Sequence, residues 1–187
     1  MPLRFMAALV VFLSALAACA SPDRHDPASP AYLYPAGIRL VLNRPVEIAA
    51  DSATARFQSG RIVTPDTVRT AEPYCILEVD RVDARPRRIV PDTFAVAKVL
   101  RSAPEVDVGA GLFIRSAYAD DETPSLRFFK TVFLLHSDRQ PGVRSLTCQH
   151  HQYAAGTGRP RHLTLPEIHQ ALGPWFSLQL PGEASPH

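Results

Sequence analysis

The chain has 187 residues, with 20 Lys plus Arg against 18 Asp plus Glu and a formal charge of +2 at pH 7. That length holds one ordinary domain and a targeting segment, and excludes two full cores. The near-neutral balance lacks the basic face with which nucleic-acid binders engage phosphate, so no nucleic acid is expected as a partner. Eighteen prolines are dispersed from Pro2 to Pro186, about twice the usual share. Each removes a backbone donor and fixes a dihedral, which argues against long helices.

The first residues carry the most specific signal. Arg4 supplies a positive start, Met6 to Leu13 is almost wholly apolar, and small residues follow through Ala17 and Ala18. This pattern reads as a signal peptide over residues 1–18. Its apolar run is short of the roughly 20 residues needed to span a bilayer. The stretch Leu16-Ala17-Ala18-Cys19 resembles the lipobox of bacterial lipoproteins. The resemblance implies that the Cys19 thiol is alkylated with diacylglycerol, that cleavage falls between Ala18 and Cys19, and that the new amino group is acylated. Two or three acyl chains then give stable anchoring where one holds weakly. Ala20, in place of the aspartate of the inner-membrane retention signal, implies the outer membrane on its periplasmic side. The rest of the chain resembles proteobacterial lipoproteins in style only.

Residues 19–36 read as the lipidated cysteine and a proline-rich tether. Four prolines lie between Ala20 and Pro35, and a semi-extended linker of that length would hold the domain up to about 45 Å from the lipid. His25 is expected to be solvated, and Tyr32, Leu33 and Tyr34 to mark first contact with the domain.

Residues 37–181 are expected to form a single β-rich domain and 182–187 a tail. Ile38 to Leu42 and Val46 to Ile48 are rich in strand formers. Ala53 to Gln58, Ser59-Gly60 and Arg61 to Thr64 read as a hairpin, because glycine supplies the positive dihedral of a tight turn. The Arg85, Arg87 and Arg88 cluster, broken by Pro86, reads as a solvated loop. Tyr74 to Val82 alternates, with Cys75, Leu77 and Val79 on one face. Thr93 to Leu100 puts Phe94, Val96 and Leu100 on one face, and Leu112 to Ala117 is a shorter candidate. Leu126 to Leu135 is apolar enough for a strand buried on both faces. Pro141-Gly142 turns the chain into Val143 to Gln149. Thr164-Leu165-Pro166-Glu167 is a capping box; Leu165, Ile168 and Leu172 share a helical face, and Gly173-Pro174 stops the helix. Trp175 to Leu180 is a last strand. The expected fold is mainly β, a small β-sandwich or partly open barrel with one short C-terminal helix; α+β is the alternative.

With Cys19 committed to lipid, Cys75 and Cys148 remain, and in an oxidising compartment such a pair is expected to form a disulfide. Cys148 is followed by His150 and His151, with His162 beyond. These are zinc- or copper-ligand types, but a disulfide would take the thiolate, and consecutive strand residues point to opposite faces. His136-Ser137-Asp138 holds the letters of a serine triad, yet sequence neighbours cannot form the relay. Asp120, Asp121 and Glu122 read as a solvated loop. No catalytic residue, metal ligand or cofactor is assigned. Three functional readings follow: a lipid-anchored envelope protein acting as a non-enzymatic binding or assembly module with an envelope or cell-wall partner, a periplasmic or cell-wall-acting enzyme, and a metal-handling lipoprotein.

Overall fold

A computed structural model describes residues 23–102, 128–151 and 160–182. Eight strands form one antiparallel sheet: β1 (Arg39–Leu42), β3 (Ser52–Gln58), β4 (Arg61–Val63), β5 (Tyr74–Asp83), β7 (Asp92–Ser102), β8 (Lys130–His136), β9 (Val143–Gln149) and β10 (Phe176–Gln179). Their order is β10-β1-β7-β8-β9-β5-β3-β4. The short strands β2 (Val46–Ile48) and β6 (Arg87–Ile89) make a separate two-stranded sheet. The main sheet curls into a half-barrel, and the helix α1 (Leu165–Leu172) packs against β3, β5 and β10. This is the partly open barrel form of the expected mainly β fold.

Alternation builds the core. Leu40, Leu42, Phe57, Leu77, Phe94, Phe133 and Leu146 point into the concave face and are fully buried, as are Leu163 and Ile168 beside them. Each such side chain contributes about 1.5–3 kcal/mol of burial. The helix is set as its sequence predicts. Thr164 accepts from the Glu167 amide, and the Glu167 carboxylate accepts from the Thr164 amide. Two turns are too few to stand alone; Leu165, Ile168, Ala171 and Leu172 are buried against the sheet.

The two ends of the sheet meet beside this helix. Ser59 (φ 49°) and Gly60 (φ 72°) form the two-residue β3–β4 turn, with both central dihedrals positive as that turn type requires. The Gly60 amide donates to the Ala171 carbonyl and the Trp175 indole donates to the Gly60 carbonyl, at 3.0 and 3.1 Å. Phe57 packs edge-on against Phe176 with centroids 5.4 Å apart. Gly173, at φ 54°, lies so close to Gly60 that a Cβ there would collide with the Gly60 backbone.

Four details differ from the sequence expectation. Arg87 and Arg88 lie on β6, paired with Ile48 and Glu47 of β2, and Arg87 reaches Asp80 at 2.7 Å. The cluster is therefore part strand, ordered by a partner that Pro86 conceals in sequence. β8 starts at Lys130 rather than Leu126, and only Thr131, Phe133 and Leu135 are buried; Val132 and Leu134 on the outer face are half-buried. A half-barrel has one covered face, so burial on both faces is not available to this strand. In β7, Val96 pairs with Leu135 and Lys98 with Leu134, which makes Ala97 an extra residue and a β-bulge. The bulge reverses the alternation: Phe94 and Val96 face the core before it, Val99 after it, and Leu100 is turned out, 39% exposed. Finally, much of the segment placed with the tether is docked. Ser29 and Tyr32 are buried, the Leu33 amide donates to the Arg24 carbonyl at 2.8 Å, and the Leu165 amide at the helix start donates to the Pro27 carbonyl at 3.1 Å. First contact precedes the Tyr32-Leu33-Tyr34 triplet by several residues. Cys19, the 112–117 strand candidate and the acidic 120–122 cluster lie outside the described residues.

Candidate ligand-binding cleft

Cys75 and Cys148 face each other directly across β5 and β9, both fully buried, with Cα atoms 4.1 Å apart, and they form a disulfide. The thiolate of the Cys148–His150–His151 constellation is thereby used. His151 instead bridges to Phe128, and its amide donates to the Thr70 carbonyl. His162 packs edge-on against Phe129 with centroids 5.4 Å apart. Among the described residues no group of three His, Cys, Asp or Glu is placed to hold a metal.

The His136-Ser137-Asp138 turn holds a different network from a triad. His136 Nε2 lies 3.3 Å from Asp138, on the surface. The Ser137 hydroxyl donates to Asp92 Oδ2 at 2.6 Å, and Gln140 and Arg139 reach the same carboxylate. Burial pushes the Asp92 carboxyl up, but the hydrogen bonds from Ser137, Gln140 and the Thr93 amide, with the Arg139 charge, outweigh it and leave it below its ordinary value. This carboxylate ties the β8–β9 turn to the start of β7. The polar hollow beside it, about 390 Å³, is lined by Arg39, Thr93 and His136 among others.

The opposite end of β7 builds a site of another character. Where the lead-in segment, the end of β7, the approach to β8 and the approach to α1 converge, a cleft of about 640 Å³ opens, within the roughly 300–1,000 Å³ usual for small-molecule sites. Its walls are Pro30, Ala31, Leu33, Phe129 and Pro160; its polar groups are Arg24, Arg101, Arg161 and His162. No described Asp or Glu lines it.

Arg101 owes its position to the bulge, which turns residue 101 toward the side that residue 100 would otherwise take. Its guanidinium stands over the Tyr34 ring at 5.4 Å from the centroid, and Nη1 donates to the Pro30 carbonyl at 2.7 Å. Its Nε and Nη2 are buried without a hydrogen-bond partner among the described residues. Tyr34 packs edge-on against Tyr32 and Phe133; burial pushes its phenol up to about 12, against the pull of Arg101.

The other cations differ. Arg161 grips Glu167 through two hydrogen bonds of 2.7 and 2.6 Å. Those bonds, with the Thr164 amide and hydroxyl, outweigh burial and draw the Glu167 carboxyl down to about 2. Burial, with help from the Arg101 charge, holds His162 down at about 4, so it is neutral at pH 7. Arg24 and Arg101 therefore carry the net positive charge of the cleft. Sequence reasoning singled out His162, took Leu33 only as a first contact with the domain, and gave Arg101 and Phe129 no role in a site. The available signal was Lys98, a cation in a slot that strict alternation would bury. Comparison with protein-family models, with curated proteins and with solved structures finds no match.

Proposed function

We propose that this chain is a lipid-anchored cell-envelope binding module, without enzymatic chemistry of its own, that holds a small apolar ligand in the cleft beside Arg101. The observation that carries the reading is the cleft itself: apolar walls, no acidic lining among the described residues, and the half-buried Arg101 guanidinium among its polar groups. Small-molecule sites combine apolar walls with a few orienting polar groups in this way. The Leu16-Ala17-Ala18-Cys19 motif supports an anchor on Cys19, and Ala20 supports the outer membrane, facing the periplasm. Arg24, on the rim of the cleft, is five residues from Cys19, at most about 18 Å of extended chain. The cleft would then open near the bilayer rather than far into the periplasm.

Titration with the uncharged apolar dye N-phenyl-1-naphthylamine tests the reading. Saturable, one-to-one fluorescence enhancement is expected, weakened at least tenfold by Leu33→Asp, a substitution at a side chain exposed enough (54%) to leave folding intact. Absence of saturable binding, or binding indifferent to Leu33→Asp, would contradict it.

A further inference from the structure

We infer that the cleft takes an anionic amphiphile, with an acyl chain along the Leu33 and Phe129 walls and a carboxylate or phosphate head on Arg101. This deepens the binding reading above and rests on it. Two observations specify the head group. Arg101 lines the cleft as a cation held in place by the Pro30 carbonyl on its Nη1, with no carboxylate among the described lining residues to match its charge, and a guanidinium so placed attracts a head-group oxygen. Arg24 adds a second positive charge on the rim, whereas the charge of Arg161 is already matched by Glu167. The tail is specified by what surrounds these cations: proline, alanine, leucine and phenylalanine side chains, with His162 the other polar group of the lining and itself packed edge-on against Phe129. A hydrophilic anion such as inorganic phosphate would leave that apolar surface wet, and a neutral hydrocarbon would leave the positive charge of Arg101 and Arg24 unmatched. An amphiphile answers both.

The test uses residues 19–187 with Cys19→Ser, which keeps every described element and removes any acyl chain of the protein's own. Binding of cis-parinaric acid is compared with that of its methyl ester by fluorescence. The acid is expected to bind about 10- to 100-fold tighter than the ester, as for a hydrogen bond to a charged group. Arg101→Met should abolish that preference while the ester still binds, which shows that the variant is folded. Equal affinity for acid and ester, or a preference that survives Arg101→Met, overturns this inference and leaves the binding module standing. Failure of both probes to bind overturns the two together. Competition then separates the sources of the head group. Displacement by oleate identifies a free fatty acid and displacement by lysophosphatidylglycerol a phospholipid; either supports the inference, and displacement by neither overturns it.

Discussion

Glu167 does three jobs with one carboxylate: it caps the Thr164 amide, accepts the Thr164 hydroxyl and pairs with both terminal nitrogens of Arg161. Glu167→Ala should therefore cost about 1–2 kcal/mol, as loss of a cap does elsewhere, measured as a lowered urea midpoint with unchanged slope. The same neighbourhood sets an acid dependence. The folded value of His162, about 4, lies below its ordinary 6.5, so between these pH values the unfolded chain binds more protons. The stability linked to this group is complete above about pH 6.5 and is lost as pH falls toward 4. Burial lowers His150 in the same direction. Glu167, down at about 2 from 4.5, adds stability present above about pH 4.5 and lost below it. Urea midpoints should fall between pH 7 and 4, and His162→Phe should flatten the upper part of that slope; a midpoint independent of pH over this range would contradict the burial of these imidazoles. The capping box could be read from Thr164 and Glu167 alone because its partners are three residues apart. Arg161 and the neutral state of His162 could not, since both depend on chain segments brought together only by folding.

At the scale of elements, the disulfide was legible because Cys75 and Cys148 each share a strand face with a leucine; what sequence left open was adjacency, which the β5–β9 register supplies. The bridge closes a separation of 73 residues, for which loop-closure entropy gives about 4 kcal/mol. The Cys75→Ala, Cys148→Ala pair should lower unfolding free energy by that order in denaturant titration. The seam between the β3–β4 turn and the end of α1 makes a second claim. Gly173→Ala forces a side chain at φ 54° into the Gly60 backbone and should cost more than about 1 kcal/mol; a neutral result would mean the sheet ends do not meet there. Most strand positions followed from alternation and turn residues, down to the Ser59-Gly60 hairpin, but β6 did not, because its pairing with β2 is not local. The β7 bulge did not, because one extra residue leaves composition unchanged while reversing every later side chain. That reversal moves Leu100 out and brings Arg101 to the cleft, so the residue on which the proposed chemistry depends was hidden by the same feature that positions it.

For the whole molecule, the half-barrel places two unlike surfaces at the two ends of β7: the polar Asp92 network at its start and the apolar, cationic cleft at its end. The docked lead-in ties the second of these to the N-terminus. Residues from Arg24 onward are held by the Pro27 and Pro30 carbonyls and by buried Ser29 and Tyr32, so a tether from Cys19 would be a few residues long instead of about fifteen. Proline-rich composition suggested a free linker because it reports on local stiffness, and the contacts that pin this segment come from α1 and β7, far away in sequence. A short tether and a cleft at the anchored end form one proposal, in which the membrane supplies both the attachment and the ligand. That proposal depends on the lipid on Cys19, which is read directly from the intact mass of the full chain expressed in a Gram-negative host and recovered from the membrane fraction. A product beginning at Cys19 and carrying diacylglycerol and an N-acyl chain is expected. A product that begins at any other residue, or at Cys19 with no acyl mass, would contradict it.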